Sequence, residues 1–197
     1  MFITFEGGEG CGKSTHAKML KDYFELFQKE VVLTKEPGGF KNNLRKILLD
    51  NDQSLEALSE IFLFAADRVE HVEKIIKPAL SAGKIVISDR YIDSTIAYQL
   101  GGRGLPEDMV RYINWISSRG LLPDITFLLD IKIEEGLQRT VERGVMNRFE
   151  KEIMAFHERV KEKYMDIASK NPQRIKVIDT YRSIDEVQRE IRGFLKI

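Results

Sequence analysis

Gly7-Gly8-Glu9-Gly10-Cys11-Gly12-Lys13-Ser14 decides the fold of this chain. It fits Gly-x-x-x-x-Gly-Lys-[Ser/Thr] at every fixed position, and each of those positions has a physical reason. Glycines open backbone angles that side chains forbid, so several N–H groups can converge on one phosphate. The lysine reaches the β- and γ-phosphates, and the Ser14 hydroxyl is placed to meet Mg2+. A helix that starts here aims its N-terminal N–H groups at the same anion. The flanks agree. Phe2 to Phe5 is a strand-forming run, and Lys13 to about Lys29 carries Leu20, Phe24 and Phe27 at helical spacing. A plain glycine-rich turn explains neither the lysine nor the hydroxyl. Gly7 to Thr15 therefore reads as a P-loop holding the phosphates of ATP, with Cys11 filling a permissive position.

Beyond this loop, short β-type runs alternate with longer helical stretches. Further strands are predicted at Glu30–Thr34, Lys84–Ser88, Ile125–Asp130 and Arg174–Ile178. Helices are predicted at Asn43–Leu49, at Ser54–Ala82 with Ser54 as its cap and Gly83 at its end, and at Asp93–Gln99 and Pro106–Ser118. Three more are predicted at Lys132–Glu142, Glu150–Lys170 and Ser183–Leu195. Strands joined by helices imply an α/β doubly wound fold: a five-stranded parallel sheet with right-handed crossovers and helices on both faces. No linker or repeat divides residues 1–197, so one P-loop NTPase domain is expected, with a short lid at about 143–150.

Composition narrows the class. The chain has 197 residues, 43% hydrophobic and 31% charged, enough for one well-packed domain. Lys plus Arg (31) equals Asp plus Glu (31), so it lacks the basic excess of a nucleic-acid-coating protein. No apolar run approaches the roughly 20 residues of a membrane span. The N-terminus does not read as a signal peptide, and Cys11 alone cannot form an internal disulfide. These features fit a cytoplasmic enzyme with neither nucleic-acid nor membrane partners. Neither Asp-x-x-Gly nor Asn-Lys-x-Asp occurs, which argues against a GTPase and leaves a compact phosphotransferase.

Further strings turn this into a family resemblance. They are Phe5-Glu6-Gly7-Gly8-Glu9 leading into the loop, Glu36-Pro37-Gly38-Gly39, Leu63-Phe64-Ala65-Ala66-Asp67-Arg68 and Asp89-Arg90-Tyr91. Ser94, Ala97-Tyr98-Gln99, Gly101-Gly102-Arg103-Gly104-Leu105-Pro106 and the arginines between Arg139 and Arg148 complete the set. In this order they resemble thymidylate kinase over most of the chain. The resemblance implies transfer of the ATP γ-phosphoryl to dTMP, giving dTDP and ADP with Mg2+, in a homodimer.

Phosphoryl transfer is achieved mainly by positioning two anions and neutralising developing charge, so two phosphorylated substrates need more cations than Lys13. The resemblance assigns Arg45 and Arg90 to the acceptor phosphate, with Arg90 also facing the transferring group. Asp89, closing the third strand, is the candidate Mg2+ carboxylate beside Ser14; an Asp there also suits a helix N-cap. By resemblance, Glu9 accepts from the acceptor 3′-hydroxyl, and Glu36 lies near the acceptor phosphate and metal. Phe64 and Arg68 are four apart on one helix face, suited to stacking on a base and donating to its carbonyl, though Phe64 equally fits a core position. Tyr98 is implied against C2′ of the sugar, and Gln99 and Ser94 or Thr95 near the base.

The stretch 142–150 resembles the mobile lid of these kinases. In the family, a P-loop that reads Glu9-Gly10 without arginine goes with catalytic arginine in the lid. Arg143 and Arg148 are the candidates, and Arg139 one turn earlier is assigned to ATP. Departures are local: Asn147-Arg148 stands where Asp-Arg is common, and Lys35 and Phe40 flank Glu36-Pro37-Gly38-Gly39. His16, His71 and His157 lack metal-ligand spacing and read as structural or surface residues. Rivals are a kinase for another nucleoside monophosphate, decided by Phe64, Arg68 and Gln99, and a slowly hydrolysing P-loop switch.

Overall fold

The computed structural model describes residues 1–40, 43–52, 54–144 and 146–195. Five parallel strands stand in the order β2-β3-β1-β4-β5. They are β1 (Phe2–Glu6), β2 (Val31–Lys35), β3 (Ile85–Asp89), β4 (Ile125–Asp130) and β5 (Ile175–Asp179). Period-two alternation splits their side chains between two covered faces. Ile3, Phe5, Ile87, Phe127 and Leu129 pack on Ala17, Leu20 and Phe24 of α1 (Lys13–Leu26) and on Val187 and Ile191 of α9 (Ile184–Gly193). Phe2, Val86, Leu128 and Ile175 face the other way. There they meet Val72, Ile76 and Tyr91, and Val160, Tyr164 and Ile167 of α8 (Met154–Lys170).

Register aligns the carboxyl ends of the inner strands: Phe5 lies beside Asp89 on one side and Phe127 on the other, and Lys35 beside Asp89. The chain steps away from β1 in both directions, which leaves a crevice above its carboxyl end. The P-loop leaves β1 at this point.

The remaining helices frame the crevice. They are α2 (Asn43–Leu49), α3 (Ala57–His71), α4 (Lys77–Ser81), α5 (Ile92–Thr95), α6 (Glu107–Ser118) and α7 (Ile133–Glu142). The predicted helix Ser54–Ala82 differs in two respects. It begins at Ala57 with Glu56 at the cap position, so Ser54 does not cap it. A π turn at Val72–Ile76 then widens it ahead of Pro78, whose missing N–H cannot close an α-helical bond. A second π turn, Ile96–Gly102, continues α5 and brings Gly101 and Gly102 against Lys163, Arg159 and Phe156 of α8. α8 begins at Met154 rather than Glu150, because the Glu150 carboxylate accepts from Arg143 and from the Asn147 N–H. α9 starts with a full capping box between Ser183 and Glu186.

Candidate active site

A pocket of about 690 Å3 opens above the carboxyl ends of β1, β2 and β3. The P-loop forms its floor. Gly12 caps α1 at φ +94° and no side chain bonds the helix N-terminus, so the first N–H groups of α1 face the pocket. Lys13 Nζ donates to Gly8 O (2.6 Å) and Gly7 O (3.2 Å), and lies 3.4 Å from Cys11 Sγ. This tucks the cation against the loop that would hold a phosphate. Ser14 Oγ donates to the Asp89 carboxylate, so the two predicted metal residues meet directly. Among the described residues no cluster of three His, Cys, Asp or Glu forms a closed metal cage. One hydroxyl and one carboxylate suit Mg2+, which keeps waters and completes its shell with substrate phosphates.

Close backbone packing sets the loop's shape. A Cβ on Gly10 would lie 1.9 Å from Gly136 O, and one on Gly136 would lie 2.3 Å from Glu9 O. The P-loop and α7 thus touch backbone to backbone, and α7 ends at Glu142, just before the expected lid.

Arg90 organises the centre. It follows β3 with φ +72°, a left-handed conformation that costs a non-glycine residue energy and recurs at functional sites. The turn sends its guanidinium back over β1. Nη2 donates to Glu9 Oε1 (2.8 Å) and Tyr98 Oη (3.0 Å), and Nη1 to Gly7 O (3.1 Å) and Ser94 Oγ (3.2 Å). The Tyr98 ring lies 4.9 Å below the guanidinium carbon. Glu9 also accepts from Tyr98 Oη (2.6 Å). Burial opposes the charge of Glu9, but Arg90, Lys13 and the Tyr98 hydroxyl hold its pKa down to about 2. Arg45 also lines the pocket; burial lowers its pKa, Asp89 raises it and Arg90 lowers it again. Two guanidinium groups thus converge beside the P-loop lysine.

One wall of the pocket rests on a buried ion pair. Arg68, 2% exposed, donates to Glu36 through Nε (2.9 Å) and Nη2 (2.6 Å), to Asn114 Oδ1 (2.5 Å) and to Tyr91 O (3.2 Å). Burial works against the Glu36 carboxylate, yet Arg68 and His71 hold its pKa below the ordinary value. Phe64 and Arg68 share the pocket wall, as their spacing predicts, but Arg68 is engaged mainly with protein groups. Asp67 holds the turn before it: its carboxylate accepts from the N–H groups of Gly38 (2.6 Å), Gly39 (3.0 Å) and Phe40 (3.2 Å).

The lid arginines separate. Arg139 and Arg143 line the pocket, with the Arg143 guanidinium paired to Glu150. Arg148 is not among the residues lining the pocket. Its Nε donates to Leu48 O (2.6 Å) and Nη1 to Glu60 Oε2 (2.7 Å). Glu60, fully buried, also holds Arg103 and Gln99. Charge pairing with a buried acid therefore outweighs lid exposure for Arg148, and the Gln99 amide binds Glu60 while its residue lines the pocket.

Sequence reasoning missed Glu6 as an individual site residue. Its Oε1 accepts from the Tyr91 N–H (2.8 Å), and its Oε2 from Ser94 Oγ (2.5 Å) and Tyr164 Oη (2.9 Å). Burial and the nearby Asp93 push its pKa up to about 7, against the pull of Ser94, Arg90 and Tyr164. Its signal was an acid facing the sheet interior at the last position of β1. Glu60 and Gly136 gave no comparable signal.

The family model for thymidylate kinase matches residues 5–191. The thymidylate kinase of Oleidesulfovibrio alaskensis is 46% identical over 203 residues, covering 98% of this chain and 96% of that protein. That of Exiguobacterium sibiricum is 42% identical over 193 residues, covering 96% and 91%. The crystal structure of thymidylate kinase from Ehrlichia chaffeensis superposes with a TM-score of 0.82 at 38% identity, covering 99% of this chain and 98% of that one. The chain belongs to the thymidylate kinase family, nucleoside monophosphate kinases that pass a phosphoryl group from ATP to dTMP and so supply dTDP for dTTP synthesis.

Proposed function

We propose that residues 1–197 act as one kinase domain in which the P-loop holds ATP and the Arg90 side of the pocket holds dTMP. The observation that carries this is Arg90 itself: a strained, partly buried cation that bridges the P-loop carbonyl of Gly7, the Glu9 carboxylate and Tyr98. It stands where donor and acceptor phosphates would meet. Arg45 joins it on the acceptor phosphate, and Lys13 leaves its loop carbonyls to follow the transferring group. Ser14 and Asp89 would hold Mg2+, which when bound supplies charge against the β- and γ-phosphate oxygens. Glu9 accepts from the acceptor 3′-hydroxyl; a carboxylate kept ionised is a strong acceptor for it. Glu36 and Arg68 fix the acceptor wall, Phe64 stacks on the base, and Ser94, Tyr98 and Gln99 complete the pocket.

Arg143 is the arginine that lid closure over 143–150 delivers. It lines the pocket and its side chain is 61% exposed, with Glu150 as its one side-chain partner among the described residues. Arg148 acts from Glu60 as the lid's anchor, and Arg139 supports ATP. Leu58, Phe62, Tyr112, Trp115 and Ile116 stand exposed on α3 and α6, which pack side by side, and this apolar face suits a homodimer. No helix among the described residues is long and apolar enough to cross a membrane, and we place the enzyme in the cytoplasm.

The test is ADP release with Mg2+-ATP and a panel of monophosphates: dTMP, dUMP, dCMP, dAMP and dGMP. dTMP is expected to give the largest stimulation over ATP alone. No stimulation by dTMP would overturn the reading.

A further inference from the structure

Beside the P-loop, sharing Glu9 with the main pocket, lies a second cavity of about 30 Å3. Gly7, Gly8 and Glu9 form one wall, Leu129 and Ile131 another, and His157 and Tyr164 of α8 close it. Its volume exceeds the roughly 10–15 Å3 that one water needs. Among the described residues, one buried side-chain polar atom around it has no hydrogen-bond partner. Lys161 pairs with Asp130 (2.7 Å) and donates to Ile131 O (2.9 Å). Tyr164 bonds Glu6 and Ser94. His157 is 5% exposed, and its Nε2 has no partner among the described residues. Such an orphan costs free energy unless something fills its bond.

Glu9 is the other half of the arrangement. It lines both cavities, and Arg90 and Tyr98 both bond its Oε1, leaving Oε2 without a bond among the described residues. Burial keeps the His157 ring below its ordinary pKa, against the pull of Glu9 and of Glu152. A neutral ring with its proton toward Glu152 presents Nε2 as an acceptor. A carboxylate oxygen is also an acceptor, so the two cannot bond each other. A water has two O–H donors and can serve both.

We infer that this cavity holds an ordered water donating to His157 Nε2 and Glu9 Oε2, which makes His157 a positioning residue for Glu9. The water ties α8, the helix that follows the lid, to the P-loop acid. Glu9 then meets the acceptor with one oxygen set by Arg90 and Tyr98 and the other by the water. The functional consequence rests on the reading of Glu9 as the contact for the acceptor 3′-hydroxyl.

A crystal structure of the wild-type enzyme at about 1.8 Å or better tests the bridge. Density within about 3.2 Å of both atoms is expected. A cavity without density, or a direct ring–carboxylate bond, overturns it. Kinetics test the role, using the ratio of kcat/KM for dTMP to that for 3′-deoxy-dTMP. His157→Leu, which removes the acceptor, is expected to shrink this ratio roughly tenfold, the scale of one hydrogen bond to a charged group. His157→Gln, which keeps a polar end, restores most of it, and the ATP KM holds in both. If Glu9→Gln shrinks the ratio and His157→Leu does not, the positioning role is refuted. If Glu9→Gln leaves the ratio unchanged, the sugar-contact reading of Glu9 fails, while the density still decides the bridge. Should His157→Leu not fold, a ratio for His157→Phe equal to wild type overturns the role.

Discussion

Glu6→Gln should change how the enzyme's stability depends on pH. Glu6 lies under the site, fully buried, accepting from the Tyr91 amide and the Ser94 and Tyr164 hydroxyls. Burial, with Asp93 beside it, raises its pKa from 4.5 to about 7. Between these values the folded protein keeps a proton that the unfolded chain has released. The folded state therefore binds more protons in this window, and stability falls as pH rises through it. At about 1.4 kcal/mol per pKa unit, the loss between pH 5 and pH 8 is about 3 kcal/mol. Glutamine fills the same volume and does not titrate; its oxygen keeps the Tyr91 bond and its amide can donate to the hydroxyls. Urea unfolding followed by circular dichroism at pH 5, 6, 7 and 8 measures both proteins. The pH 5 to pH 8 decline should be smaller in Glu6→Gln by about 3 kcal/mol. His16 and His157, both with lowered pKa, titrate in the same range with the opposite sign, but they are common to both proteins and cancel in the difference. Glu9 titrates between about 2 and 4.5, below the window. Parallel profiles for the two proteins would refute the account of Glu6.

Other perturbations separate the roles assigned above. Lys13→Ala should cost at least roughly 100-fold in turnover, as loss of one preorganised charge donor does, and near-normal rates would remove Lys13 from the mechanism. Arg143→Ala should lower kcat roughly 100-fold with little change in the dTMP KM. Arg148→Ala should instead destabilise the fold by roughly 1–3 kcal/mol, read as a lower Tm, because it takes a donor from the buried Glu60. The reverse pattern would exchange the two assignments. Phe62→Glu combined with Trp115→Glu should halve the mass measured by light scattering, and an unchanged mass would place any dimer contact elsewhere.

The fold was legible because its decisive signals are local. The glycine spacing from Gly7 to Ser14 and the apolar runs of Ile85–Ile87 and Ile125–Leu129 lie within single elements. Strand order, register and the crevice follow from general rules of parallel sheets. Residues at the ends of strands were also legible, since Asp89 and Arg90 close β3 and must face the crevice. Long-range pairing was not. Arg148 and Glu60 are 88 positions apart and Glu6 and Tyr164 are 158 apart; no spacing rule connects them. The pairing of Arg148 with Glu60 therefore has no counterpart in the local pattern of residues 142–150. The helix 54–82 misled for a different reason, because apolar periodicity continues through a π turn even when hydrogen bonding shifts there.

The contact between Gly10 and Gly136 bears on which side chains position 10 can carry. Any side chain at position 10 would enter the backbone of α7. The lid's supporting helix thus occupies the space that a P-loop arginine would need. One substitution cannot place a side chain at position 10 unless the backbone there and at position 136 first separates. A glycine at each position is therefore what lets the loop and α7 meet backbone to backbone.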